Sequence, residues 1–130
     1  MSRSGKAKGR LGQNEIRDKL LETFPEFEQD DIKGCVMGDT GEDIQFSPAA
    51  RKKLPLSIEV KRRKSGLQTA YNYMEQASSH NKGDPVVCYR SERKPWIVMI
   101  GLDHYTQLLR SWNDNKSVGN TRRASKPRRR

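Results

Sequence analysis

Leu56-Ser57-Ile58-Glu59-Val60-Lys61 alternates apolar and polar side chains at the two-residue period of a pleated strand. Leu56, Ile58 and Val60 fall on one face, and Ser57, Glu59 and Lys61 on the other. Two residues along a strand span about 7 Å, so Glu59 and Lys61 hold a carboxylate and an ammonium within reach of one phosphate and one bound metal ion. The same alternation also describes an ordinary solvated strand face. An acid two residues before a lysine occurs four times, at Asp31-Ile32-Lys33, Glu59-Val60-Lys61, Glu92-Arg93-Lys94 and Asp114-Asn115-Lys116. Context separates them: Asp31 closes an acidic stretch, Glu92 lies in a polar turn, and Asp114 begins a polar tail. Only Glu59 sits inside an alternating apolar strand, and an upstream carboxylate adds weight to it.

That carboxylate is Asp43. Glu42-Asp43-Ile44-Gln45-Phe46 reads as a short strand with Ile44 and Phe46 on one face and Asp43 and Gln45 on the other. If it pairs with the strand carrying Glu59, the two carboxylates converge on a divalent cation. Hard oxygen donors suit Mg²⁺ or Mn²⁺, which keep several waters and take one or two carboxylates plus phosphate oxygens. Between the two strands, Pro48 and Pro55 bracket Arg51, Lys52 and Lys53, and just past Lys61 come Arg62, Arg63 and Lys64. These cations form a basic rim around an acidic centre, although a run of cations is in general a solvated surface.

The chain of 130 residues carries a net charge of +10 with only 32% hydrophobic residues. Residues 1 to 10 and 116 to 130 hold eleven cations and no acid, leaving 15 basic and 16 acidic residues between them. The excess charge therefore lies in the ends. Their Arg, Lys, Gly and Ser content predicts a flexible basic arm over 1–11 and a disordered basic tail over 114–130, flanking a single domain over 12–113. Arg-rich arms gain affinity by releasing counterions from phosphates, which puts nucleic acid first among partners; a solubilising tail and a localisation signal are the plainer readings. Cys35 and Cys88 each sit in an apolar run, as buried free thiols do. They lack zinc spacing. With no signal peptide visible, a reducing intracellular compartment is expected, and no apolar run reaches the length of a membrane span.

The remaining elements follow from periodicity. Gly12 to Phe24 reads as a helix with Ile16, Leu20, Leu21 and Phe24 on one stripe, ended by Pro25. Glu15 beside that stripe is by default a first-turn acid, and if the helix packs beside the sheet it points at the same site as Glu59. Ile32 to Met37 reads as a first strand, and Gly38-Asp39-Thr40-Gly41 as a turn. Residues 67 to 79 form a helix with Leu67, Ala70, Tyr71, Met74 and Ala77 as its core stripe; Thr69, Tyr73 and Gln76 lie on another face. Pro85 to Tyr89 and Trp96 to Ile100 are strands. Asp103 caps a last helix whose stripe of Tyr105, Leu108, Leu109 and Trp112 covers either the sheet or a second subunit. His80 and His104 lack ligand spacing and read as structural or surface residues. A glycine-rich phosphate loop, a nucleophilic serine signature and an internal repeat are all missing from the sequence.

The order helix, three strands, helix, strand, with Asp43 on the second strand and Glu59-Val60-Lys61 on the third, resembles the PD-(D/E)XK nuclease superfamily over roughly Gly12 to Leu109. Within it the chain looks most like the small phage-encoded and archaeal-type Holliday junction resolvases. It also looks like phage endonucleases carrying the strings seen here as Gly41-Glu42-Asp43-Ile44, Ser47-Pro48-Ala49-Ala50-Arg51 and Pro55-Leu56-Ser57-Ile58-Glu59-Val60-Lys61. The proline that names the motif is absent, and Glu42 stands before Asp43.

The resemblance implies an α/β fold with a restriction-endonuclease-like core. Its central mixed β-sheet would be flanked by helices in α-β-β-β-α-β order, with a further strand and a C-terminal helix. It implies Asp43 and Glu59 as metal ligands, Lys61 as the group that orients or activates water, Glu15 as the helical acid completing the metal site, and Gln76 as a glutamine of the following helix. Expected with it are Mg²⁺ or Mn²⁺, no organic cofactor, branched DNA as substrate, a homodimer supplying two active sites, and, for a phage-encoded chain, the cytoplasm of a host bacterium. A sequence-nonspecific or nicking nuclease of the same fold is the alternative enzyme, and a non-catalytic nucleic-acid-binding protein the alternative outside enzymes.

Overall fold

The computed structural model describes residues 5–35 and 41–119. It is a mixed α/β structure that divides into two compact units, Met1–Lys64 and Ser65–Arg130.

In the first unit, α1 spans Gly5–Thr23, so it begins well before Gly12 and takes in residues assigned above to a flexible arm. Lys, Ala and Arg are good helix formers, but with Leu11 the only large apolar side chain of α1 before Ile16 the apolar stripe gave no sign of these turns. Leu20 and, just past the helix, Phe24 are buried, and Pro25 stops the helix by removing a donor. β1 (Ile32–Gly34) pairs antiparallel with β2 (Ile44–Phe46) in the register Ile32↔Phe46, Lys33↔Gln45, Gly34↔Ile44. Ile32 and Ile44 are fully buried with Phe24 and Leu54. The first strand is thus shorter than expected, and Val36 and Met37, like Gly38 to Thr40, lie outside the described residues. α1 lies close on β1: a Cβ added at Gly34 would come 3.1 Å from Gln13 Oε1.

A short helix that periodicity did not reveal, α2 (Pro48–Lys53), follows β2. Ser47 is its N-cap, with Oγ accepting from the Ala50 N–H, and Pro48 stands in the first turn, where its missing donor costs nothing. Ala50 and Leu54 are buried beneath it. Asp31 anchors this start: Oδ1 accepts from Ser47 Oγ at 2.7 Å and Oδ2 from the Glu28 N–H at 2.9 Å. These bonds, Ser47's foremost, hold the Asp31 carboxyl below the usual carboxylate range.

Residues 56–61, expected to be the third strand, are not laddered into a sheet. Leu56, Ile58 and Val60 are half-buried while Ser57, Glu59 and Lys61 are exposed, so the two-residue alternation holds in burial. The segment lies beside Asp43, whose N–H donates to the Ile58 carbonyl at 3.1 Å. The next bond that a ladder would use is taken by a side chain, because the Val60 N–H donates to Asp43 Oδ2.

In the second unit, α3 (Gln68–Ser79) follows a turn in which Gly66 and Leu67 take positive φ. β3 (Val86–Tyr89) pairs antiparallel with β4 (Ile97–Ile100), Val86 opposite Ile100 and Tyr89 opposite Ile97. Where one central mixed sheet was expected, the described residues form two two-stranded antiparallel sheets, β1–β2 and β3–β4. α4 spans Leu102–Gly119 and runs past the expected start of the tail at residue 114. Asp103 is not its N-cap: it sits inside the first turn, and the Gly101 carbonyl accepts the Tyr105 N–H. Neither cysteine is in a disulfide; Cys35 is half-buried and Cys88 exposed, where both were expected to be buried. Among the described residues no helix is long and apolar enough to cross a membrane.

Candidate active site

Asp43 is held from three sides by main chain. Its carbonyl accepts the Cys35 N–H at 2.9 Å, its own N–H donates to Ile58 O, and Oδ2 accepts the Val60 N–H at 2.7 Å. The last bond fixes the carboxylate against the peptide that follows Glu59. Glu59 itself is exposed and pairs with Lys61, Oε2 to Nζ 2.8 Å. Asp43, Glu59 and Lys61 thus belong to one local arrangement, in which the Asp43 side chain is bonded to the very residue lying between the other two.

Glu15 approaches the same segment from α1, but its partner is a cation: Oε1 lies 3.0 Å from Arg62 Nε. The approach depends on Gly12, one turn earlier, where an added Cβ would come 3.1 Å from Arg62 Cβ and 3.2 Å from Val60 Cγ1. Among the described residues, no group of three or more His, Cys, Asp or Glu side chains is gathered closely enough to hold a metal ion. The donors nearest that role are Asp43 and Glu59, hard carboxylates with lone pairs beyond those used in the contacts above, and Mg²⁺ needs only one or two such groups beside water and phosphate.

The basic rim divides by partner. Arg51 bonds Glu42 and the Leu56 carbonyl and lies 4.9 Å from the centre of the Phe46 ring, so it ties β2 to the start of the 56–61 segment. Glu42 is accordingly one end of this tie, and Asp39 lies outside the described residues. Lys53 pairs with Glu26 at 3.2 Å and sits over the Phe27 ring. Lys52, Arg63 and Lys64 are exposed. Gln76 is on α3, in the second unit, exposed, in a cleft with Tyr73, His80 and Tyr89, while Asp43, Glu59, Lys61 and Glu15 are all in the first. Sequence reading missed the Arg51 tie and the stacking of Tyr73 on Tyr89, with ring centres 6.0 Å apart. The Ser47-Pro48 cap signature was a local clue to the helix that presents Arg51.

Compared with known proteins, the chain matches no family model, no curated protein and no solved structure.

Proposed function

We propose that the chain is a metal-dependent DNA endonuclease of the PD-(D/E)XK type, built on a restriction-endonuclease-like α/β scaffold and acting on branched DNA as Holliday junction resolvases do. The observation that carries this reading is the Asp43 carboxylate bonded to the Val60 N–H between Glu59 and Lys61. Asp43 and Glu59 would hold Mg²⁺ or Mn²⁺, and the ion supplies polarisation of the scissile phosphate and activation of a water. Lys61 offsets negative charge as it develops on the phosphorane. Val60 keeps the Asp43 carboxylate from rotating away, so this ligand is placed before substrate arrives. Exposed Lys52 and Arg63 bind phosphates without reading bases. With phosphate contacts doing the binding, selectivity comes from substrate shape, and a homodimer would cut two strands symmetrically.

The test compares four-way junction, flap, nicked, duplex and single-stranded DNA, each with Mg²⁺, Mn²⁺ or chelator. Asp43→Asn and Glu59→Gln are each expected to lower cleavage at least about a hundredfold, a loss of about 3 kcal/mol in transition-state stabilisation, while DNA binding is kept. Normal cleavage by either variant removes that residue from the site. A second reading, a non-catalytic DNA-binding protein, draws on the Glu59–Lys61 and Glu15–Arg62 ion pairs, which also suit a plain solvated surface. It requires equal binding in chelator and no cleavage of any substrate.

A further inference from the structure

Each exposed carboxylate facing the candidate site is already matched to a cation of one dipeptide. Glu59 pairs with Lys61 at 2.8 Å and Glu15 with Arg62 at 3.0 Å. The side chains of the first pair are 63% and 60% exposed, and those of the second 65% and 48%. Ion pairs so open to solvent add little to stability, so a competing partner displaces them easily. The Arg51–Glu42 pair differs in kind: its side chains are 37% and 29% exposed, and the guanidinium has a second anchor on Leu56 O and a ring beneath it.

A DNA phosphate is the natural competitor for the cations. Guanidinium binds phosphate through two parallel hydrogen bonds and ammonium binds it as a point charge. A divalent ion is the natural competitor for the carboxylates. While Lys61 sits on Glu59, the ion must displace an ammonium to reach that carboxylate; once Lys61 has turned to phosphate, Glu59 is open. Arg62 and Glu15 stand in the same relation. Gly12 lets α1 approach Arg62 Cβ and Val60 Cγ1, which brings Glu15 to the segment that carries Glu59 and Lys61.

Resting on the endonuclease reading, we propose that the resting pairs Glu59–Lys61 and Glu15–Arg62 are exchanged on DNA binding, the cations passing to phosphates and the carboxylates becoming available to the divalent ion. DNA and ion then bind cooperatively, and linkage makes the effect reciprocal. The DNA-free protein keeps its carboxylates neutralised and holds the ion weakly. Glu15 acquires a definite role here, as the resting counter-ion of Arg62.

The experiment measures Mn²⁺ binding to the full, DNA-free chain by calorimetry, for wild type, Lys61→Met, Arg62→Met, Asp43→Asn and Lys64→Met. The last variant removes the same charge from an exposed residue and controls for the general field. Removing a resting partner is expected to tighten Mn²⁺ by about two- to fivefold over Lys64→Met, the factor that a pair worth up to about 1 kcal/mol permits. In parallel, junction affinity is followed by fluorescence anisotropy with and without Ca²⁺ at constant ionic strength. The gain on adding Ca²⁺ is expected to be smaller in Lys61→Met than in Lys64→Met. Mn²⁺ affinities of Lys61→Met and Arg62→Met equal to that of Lys64→Met would overturn the exchange and leave the metal site standing. Mn²⁺ binding that Asp43→Asn does not weaken removes the endonuclease reading, and the exchange with it.

Discussion

The first unit closes a core of five large apolar residues, and the second leaves most of its large apolar residues in solvent. Leu20, Phe24, Ile32, Ile44, Ala50 and Leu54 make a closed core between α1, the β1–β2 pair and α2. Beyond Lys64, the only buried apolar side chain among the described residues is Leu109, accompanied by the polar Thr106 and Asn113, while Trp96, Ile97, Val98, Leu108 and Trp112 are exposed. The chemistry follows the packing. Asp43, Glu59, Lys61 and Glu15 all stand on the unit with its own core, so their arrangement needs nothing from the second. Gln76 alone does not.

The contrast breaks most directly by truncating an aromatic side chain in each unit. Phe24→Ala, at a fully buried position, is expected to cost about 3–5 kcal/mol. Trp112→Ala, where 46% of the residue is already exposed, is expected to cost about 1 kcal/mol. Urea unfolding followed by amide exchange in each unit measures both. Equal costs would show that the exposed face is covered in solution, and a cost for Trp112→Ala that grows with protein concentration would show that a second copy covers it.

A smaller effect tests how the first unit holds its site. Arg51→Met keeps much of the aliphatic stem but loses the hydrogen bonds to Glu42 and Leu56 O, at an expected cost of about 1.5–3 kcal/mol. The informative signal is local: exchange of the Val60 amide should speed up more than that of the β1–β2 amides, since Arg51 ties down the segment that donates to Asp43. Unchanged Val60 protection would mean that Asp43 holds the segment unaided.

What could be read in the sequence was whatever depends on neighbours along the chain. The alternation of Leu56 to Lys61 appears in the structure as alternating exposure. Its absence from a ladder did not show, because it depends on where β2 ends and on the Asp43 carboxylate taking a main-chain donor. Three of the four acid-x-lysine strings are separated by contacts that sequence only partly reveals: Asp31 braces the start of α2, Asp114 pairs with Arg110 one helical turn away, and Glu59 pairs with its own lysine. Arg51 read as a phosphate contact because a cation beside other cations looks like a rim. Its partners in the structure, Glu42 and the Leu56 carbonyl, are nine and five residues away in the chain, brought together by α2. Tyr73 and Tyr89 stack for the same reason, through tertiary placement of α3 on β3.

The smallest expected effect is a pH dependence confined to the first unit. Asp31 accepts from Ser47 Oγ and from the Glu28 N–H, and these bonds hold its carboxyl below the usual carboxylate range in the folded chain. Folding therefore favours the ionised form. The stability this adds is present at neutral pH, and it fades as pH falls below the ordinary carboxylate range and through the lower folded value. Ser47→Ala removes the larger cause of the shift together with the cap of α2, at an expected cost of about 1 kcal/mol for the cap. Its acid limb should be shallower than that of wild type, because Asp31 returns toward its unfolded behaviour and has less to lose on protonation. The Glu28 N–H bond remains, so the limb should not flatten completely. Urea midpoints from neutral to acid pH, read from amides of β1 and β2, give the comparison, and amides of β3 and β4 serve as the internal reference. Parallel acid limbs in the two proteins would show that the Asp31–Ser47 bond does not form in solution. A change that reached β3 and β4 equally would show that the two units unfold as one.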